Sequence, residues 1–69
     1  MLSVKTYLVE GMSCDHCVNA VKSEVSKVKS VSTVEVDLDS KVVTVTGGEF
    51  QDRDVIAAVD AAGYDASVL

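Results

Sequence analysis

The stretch GMSCDHCVNA, residues 11–20, holds both cysteines of the chain three positions apart, with the one histidine between them. Cys14, His16 and Cys17 are therefore the residues whose types and spacing could do chemistry. Two sulfurs at i and i+3 across a corner where a loop enters a helix can converge on one small ion. A helix N-terminus also presents unpaired N–H groups and partial positive charge, which favours thiolate over thiol. Two thiolates suit a soft ion: copper(I), silver(I) and mercury(II) accept two-coordinate thiolate ligation, whereas zinc takes four ligands, or three and a water.

The rival chemistries each ask for something more. A structural zinc site needs further ligands, and the sequence has no second C-x-x-C and no carboxylate directly before Cys14, where Ser13 stands. His16, placed between the cysteines, could join them on one ion only through an awkward loop. A thioredoxin-like dithiol belongs to a longer chain with a nearby cis-proline, and this chain has no proline; oxidation of the pair is still chemically easy. Cys–His catalysis would need a third orienting group and a cleft, for which the chain is small. Two unrelated buried cysteines conflict with the polar Asp15 and His16, which hold the segment at the surface.

The elements that must position these residues follow from the periodicity. SVKTYLV, ending at Glu10-Gly11, is rich in Val, Tyr, Leu and Thr and predicts a strand. Its alternation is ambiguous, with Val4 and Leu8 on one face and Tyr7 and Val9 on the other. From Asp15 the period turns helical: Val18, Val21, Val25 and Val28 recur at spacings of three and four, opposite Asn19, Lys22, Ser23 and Ser26. Valine is a poor helix former, so packing on a sheet must hold this helix. STVEVDLDSKVVTVT predicts a hairpin turning at Asp39-Ser40, with Val34, Val36 and Leu38 on one arm and Val43 and Val45 on the other. GGEFQ is a loop. DRDVIAAVDAA predicts a second helix with acids at its start, an apolar stripe of Val55, Ile56, Val59 and Ala62, and Gly63 just past its end. YDASVL closes as a strand. The order β-α-β-β-α-β is that of an α+β, ferredoxin-like sandwich: a four-stranded antiparallel sheet with two helices on one face.

Sixty-nine residues make one domain, residues 1–69, whose 48% hydrophobic content is mostly Val and Ala with a single Phe and no Trp. Its core must be built from many small contacts. The net charge of −5, without a basic stripe, argues against a nucleic-acid partner. No run is long enough for a membrane span, and the broken segment MLSVKTYLVEGM is no signal peptide. The expectation is a cytoplasmic protein, in a compartment where a Cys pair is metal-binding or catalytic rather than a disulfide.

GMSCDHC resembles the G-M-x-C-x-x-C motif of heavy-metal-associated domains, and the resemblance extends through KTYLVEGMSCDHCVNAV, the central hairpin and AVDAAGYDASVL. Within the family, SCDHC together with GYD is most similar to bacterial cytosolic copper chaperones. The same domain occurs as metal-binding repeats of copper-exporting P-type ATPases and as periplasmic mercury-binding proteins. The resemblance implies a βαββαβ fold and a copper(I) carrier, not an enzyme. It makes Cys14 and Cys17 the ligands of Cu(+), and Met12 a buried buttress of the metal loop. Tyr64 matches an aromatic beside the metal, against the plainer reading of a strand-edge Tyr packing on the second helix. His16 either tunes the thiolates or is a solvent-exposed residue at the helix start. Ser13, where Thr is frequent, keeps a hydroxyl. The implied partner is the metal-binding domain of a copper-transporting P-type ATPase, and two chains could also share copper through their cysteine loops. The start at Met1 and the stop after the last strand favour a free-standing chaperone. The alternatives are an ATPase metal-binding domain and, from another class, a thiol–disulfide protein.

Overall fold

The structure, a computed structural model, describes residues 2–12 and 15–69. Six elements follow in the expected order: β1 (Ser3–Glu10), α1 (Asp15–Ser26), β2 (Val31–Asp37), β3 (Val42–Gly47), α2 (Asp52–Ala61) and β4 (Asp65–Val68). The strands form one sheet in the order β2-β3-β1-β4, and every pairing is antiparallel. This is the ferredoxin-like arrangement.

The ambiguous alternation of β1 resolves by burial. Tyr7 and Val9 are fully buried, while Val4 is 64% exposed on the opposite face. The buried face continues across the sheet through Val43 and Val45 of β3 and Val34 of β2. It meets Val21 and Val25 of α1 and Val55 and Val59 of α2, and all of these belong to one hydrophobic cluster. Each helix therefore contributes two valines one turn apart, and the cluster supplies the stability that valine-rich helices lack by propensity. Val18 and Val28 are half-buried flanks of the stripe, and Val28 lies past the end of α1 in the turn that leads to β2.

Three local features depart from the sequence reading or sharpen it. The first arm of the hairpin stops at Asp37, because the Asp37 carboxylate accepts hydrogen bonds from the backbone N–H groups of Asp39 (2.9 Å) and Ser40 (3.4 Å). That turns the chain one residue early and leaves Leu38 in the turn rather than in the strand. Phe50, read only as part of a loop, is 6% exposed and belongs to the core. Tyr64 precedes β4 instead of opening it.

A polar cluster ties β1 to the start of α2. The buried Tyr7 hydroxyl donates to Asp52 Oδ1 at 2.8 Å, and Lys5 Nζ lies 3.1 Å from the same oxygen and 5.6 Å from the Phe50 ring centroid. Burial, followed by the hydrogen bond to Asp52 and its charge, pushes the Tyr7 phenol well above its ordinary range. The same hydrogen bond, with help from Lys5, holds the Asp52 carboxyl below its own.

Candidate metal centre

One end of the domain is assembled from three connections. β1 ends at Glu10, which pairs with Asp65 of β4. Gly11 then takes φ +93°, a left-handed conformation that glycine adopts without steric cost. Met12 turns inward and is 3% exposed, a member of the core cluster. Gly11 thus fixes the turn and Met12 anchors it in the core. Ser13 and Cys14 lie outside the described residues, so the structure places one of the two expected ligands.

That ligand, Cys17, is the third residue of α1, half-buried and packed against the core. It stands in the first helical turn. Asp15 and His16, the two residues before it, are exposed. His16 thus stands at the helix start facing solvent.

The second connection is the α2–β4 turn. α2 ends in a Schellman motif: Gly63 N–H bonds to Asp60 O at 2.9 Å and Tyr64 N–H to Val59 O at 3.1 Å, with Gly63 at φ +93°. This closure sends the Tyr64 side chain back toward β1. Its ring lies over Gly11, so that a Cβ placed on Gly11 would stand 3.3 Å from Tyr64 Cδ1. The half-buried Tyr64 also packs on the core. Tyr64 thus packs on the core and over Gly11.

The third connection is the hairpin turn, residues 38–41. Leu8 pairs with Val42, and Val9 N–H bonds to Lys41 O at 2.9 Å, which seats the turn at the same end of the sheet. Met12, Cys17 and Tyr64 are thus gathered at one end. Among the described residues no group of three or more His, Cys, Asp and Glu side chains is placed to hold a metal. The packing of Tyr64 on Gly11 was reachable from the sequence only through family resemblance, since it joins residues more than fifty positions apart.

This geometry agrees with comparisons to known proteins. The sequence profile of the heavy-metal-associated domain matches residues 6–65, and the chain belongs to that family. It is 44% identical over 63 residues to the copper chaperone CopZ of Staphylococcus haemolyticus, covering 88% of this chain and 93% of the relative. Against CopZ of Bacillus subtilis the identity is 41% over 63 residues, covering 88% and 91%. Among solved structures, the N-terminal domain of a potential copper-translocating P-type ATPase from Bacillus subtilis, in its Cu(I)-loaded state, superposes with a TM-score of 0.91. It is 27% identical, and the match covers 99% of this chain and 88% of that one.

Proposed function

We propose that the chain is a copper(I) chaperone, which holds one ion between the thiolates of Cys14 and Cys17 and passes it to the metal-binding domain of a copper-transporting P-type ATPase. Kinship with copper chaperones over most of the chain carries this reading. The position of Cys17 in the first turn of α1 supports it, since that turn stands at an end of the domain and not in its interior. Copper(I) is cargo here. Each thiol loses a proton as its sulfur binds, so affinity falls as pH drops. For delivery, a thiolate of the recipient adds to the bound ion, an original Cu–S bond breaks, and the released sulfur takes up a proton. A second exchange completes the transfer without change of oxidation state. Met12 and Gly11 hold the segment from beneath, while Tyr64 braces it from the α2–β4 turn. The reducing cytoplasm keeps the dithiol available.

The test is an anaerobic titration with copper(I) against a chromophoric competitor. The wild-type chain should bind one equivalent tightly, and zinc should bind far more weakly and be displaced. Cys14→Ser and Cys17→Ser should each abolish tight binding; tight binding by the double variant would refute the site. The likeness to the ATPase domain favours a second reading, in which the same module is the receiving partner. A transfer assay in both directions separates the two, because a donor loses copper to an isolated ATPase domain and a receiver gains it from a chaperone.

A further inference from the structure

The two edges of the sheet are finished differently. β2 has exposed Glu35 and Asp37 and an irregularity between Val31 and Thr33, the charges and broken register that keep an edge from pairing with another strand. β4, at the opposite edge, has neither protection: its one charge is Asp65 at its start, and Val68 is 51% exposed. Leu69 N–H bonds to Thr6 O at 3.1 Å, which continues the register that pairs Tyr7 with Val68. Residues of an antiparallel ladder alternate in the side to which they bond. Asp65, Ser67 and Leu69 therefore direct their backbone groups to β1, while Ala66 and Val68 direct N–H and C=O outward. Among the described residues nothing bonds to those outward groups.

We propose that β4 is a docking edge for a second copy of this chain, which pairs with it antiparallel about a two-fold axis at Ser67. The strand itself sets that register. Ala66 N–H and C=O meet the Val68 C=O and N–H of the other copy, and the reciprocal pair does the same, so every outward group is satisfied. A centre one residue earlier would ask for the Tyr64 N–H, which already bonds to Val59 O. The pairing joins the two four-stranded sheets into one and lays the α2 helices side by side, antiparallel. Arg53 and Asp60 are exposed, about two turns apart, on the flank of α2 away from Ala58, which lines the groove to α1. Neither has an ion-pair partner among the described residues. Measured back from the α2–β4 turn, Ser67 and the midpoint of Arg53 and Asp60 each lie about 7 Å along their elements. The axis at Ser67 thus sets Arg53 of each copy opposite Asp60 of the other. Within one chain both charges oppose the helix dipole, with Arg53 in the first turn and Asp60 in the last. Contact between two copies gives that placement a use. The same axis points the two Cys17 ends in opposite directions, so the pair forms without copper and leaves both ends open.

One short strand and one helix flank make a small interface, so association belongs at the weak end of specific contacts. The experiment is sedimentation equilibrium of the reduced, copper-free chain over about a hundredfold range of concentration reaching the millimolar, with amide hydrogen exchange by NMR on the same samples. The mass should climb toward that of a dimer. It should climb equally in Cys14→Ser/Cys17→Ser, which can bridge through neither copper nor a disulfide. The Ala66 and Val68 amides should gain about tenfold protection with concentration, while those of β2 stay unchanged. Arg53→Asp and Asp60→Arg should each weaken association about tenfold, since each sets like charges opposite one another at both contacts. An equimolar mixture of the two variants should regain wild-type association, because both contacts are then of opposite sign. Neither substitution endangers folding, as each places the charge that its end of the helix favours. Val68→Pro, which removes an outward N–H and no bond to β1, should abolish the pairing. The proposal is overturned by a monomer at every concentration, by association lost in the double serine variant, by a dimer whose Ala66 and Val68 amides stay unprotected, or by a mixture that associates no more tightly than its components.

Discussion

Gly47→Ala should destabilise the domain severely while leaving its copper site alone. Gly47 ends β3 and pairs both with Ser3 of β1 and with Val31 of β2, beside the irregularity between Val31 and Thr33. Ser30, at φ 78°, turns its carbonyl beneath this glycine, where it accepts the Gly48 N–H at 2.7 Å. A Cβ on residue 47 would overlap that carbonyl oxygen and stand 2.8 Å from Val31 Cα. Both are backbone atoms, so no side chain can swing aside and β2 must move. Overpacking strain of about 1–3 kcal/mol and the loss of one hydrogen bond at about 1 kcal/mol oppose a gain of about 0.4–1 kcal/mol from the stiffer unfolded chain. The net loss is about 1–3.5 kcal/mol, against a total of about 3–10 kcal/mol for a chain of this length. The melting temperature should fall by roughly 5–25 °C. Gly48→Ala is the control, because its Cβ would meet only ordinary contacts, the nearest at 3.6 Å. Urea unfolding followed by far-UV circular dichroism measures both. A Gly47→Ala variant within ~0.5 kcal/mol of wild type, or a Gly48→Ala loss of equal size, would refute the steric argument. Copper stoichiometry of folded Gly47→Ala should stay at one, since the lesion lies at the far end of the sheet.

Gly11→Ala should cost about 1–2 kcal/mol for its left-handed backbone and should shift the Tyr64 ring resonances in the apo protein, because the new methyl meets that ring; unmoved Tyr64 signals would contradict the packing. The raised Tyr7 phenol predicts alkaline instability: its contribution is complete below the unfolded value of about 10 and is lost as pH climbs toward the folded one. Tyr7→Phe should therefore be less stable than wild type at pH 7, with a deficit that shrinks above pH 10 in urea melts. The lowered Asp52 carboxyl works in the opposite direction, stabilising above its unfolded value near ~4 and fading as pH falls through the folded one. Asp52→Asn should flatten that acid limb. Asp15→Lys should slow stopped-flow copper transfer to an ATPase domain with a basic rim, with unchanged copper affinity; equal transfer rates would remove Asp15 from the docking face.

The fold was legible because valine does nearly all the apolar work. Val21 and Val25, Val55 and Val59, and Val43 and Val45 each fall at the period of their element, and each pair is buried. Phe50 escaped that reading, as a single aromatic between two glycines and a helix has no period. Its signal was positional: it precedes the cap residue Gln51 and stands five before Val55, the placement of a hydrophobic staple, and both residues lie in the core. The Lys5–Asp52–Tyr7 cluster was not legible, because it depends on which residue of β1 faces the start of α2, a register that no local pattern encodes. At the candidate site, the helical position of Cys17 follows from the valine period, and the inward Met12 from the family resemblance. The contact between Tyr64 and Gly11 is a tertiary event, fixed by the pairing of Glu10 with Asp65.

That pairing has a kinetic consequence. β1 is the second strand from the edge formed by β4, and its partners there, Val68 to Asp65, are made some sixty residues after Tyr7 to Glu10. Contacts so distant in sequence close slowly, and chains are synthesised from the N-terminus. In folding, α1 and the β2–β3 hairpin, whose contacts are local in sequence, can form before β4 docks. During that interval Gly11 already exists, but the Tyr64 ring is not yet over it and the edge beside Glu10 is open. The Gly11 turn is thus synthesised early and braced last.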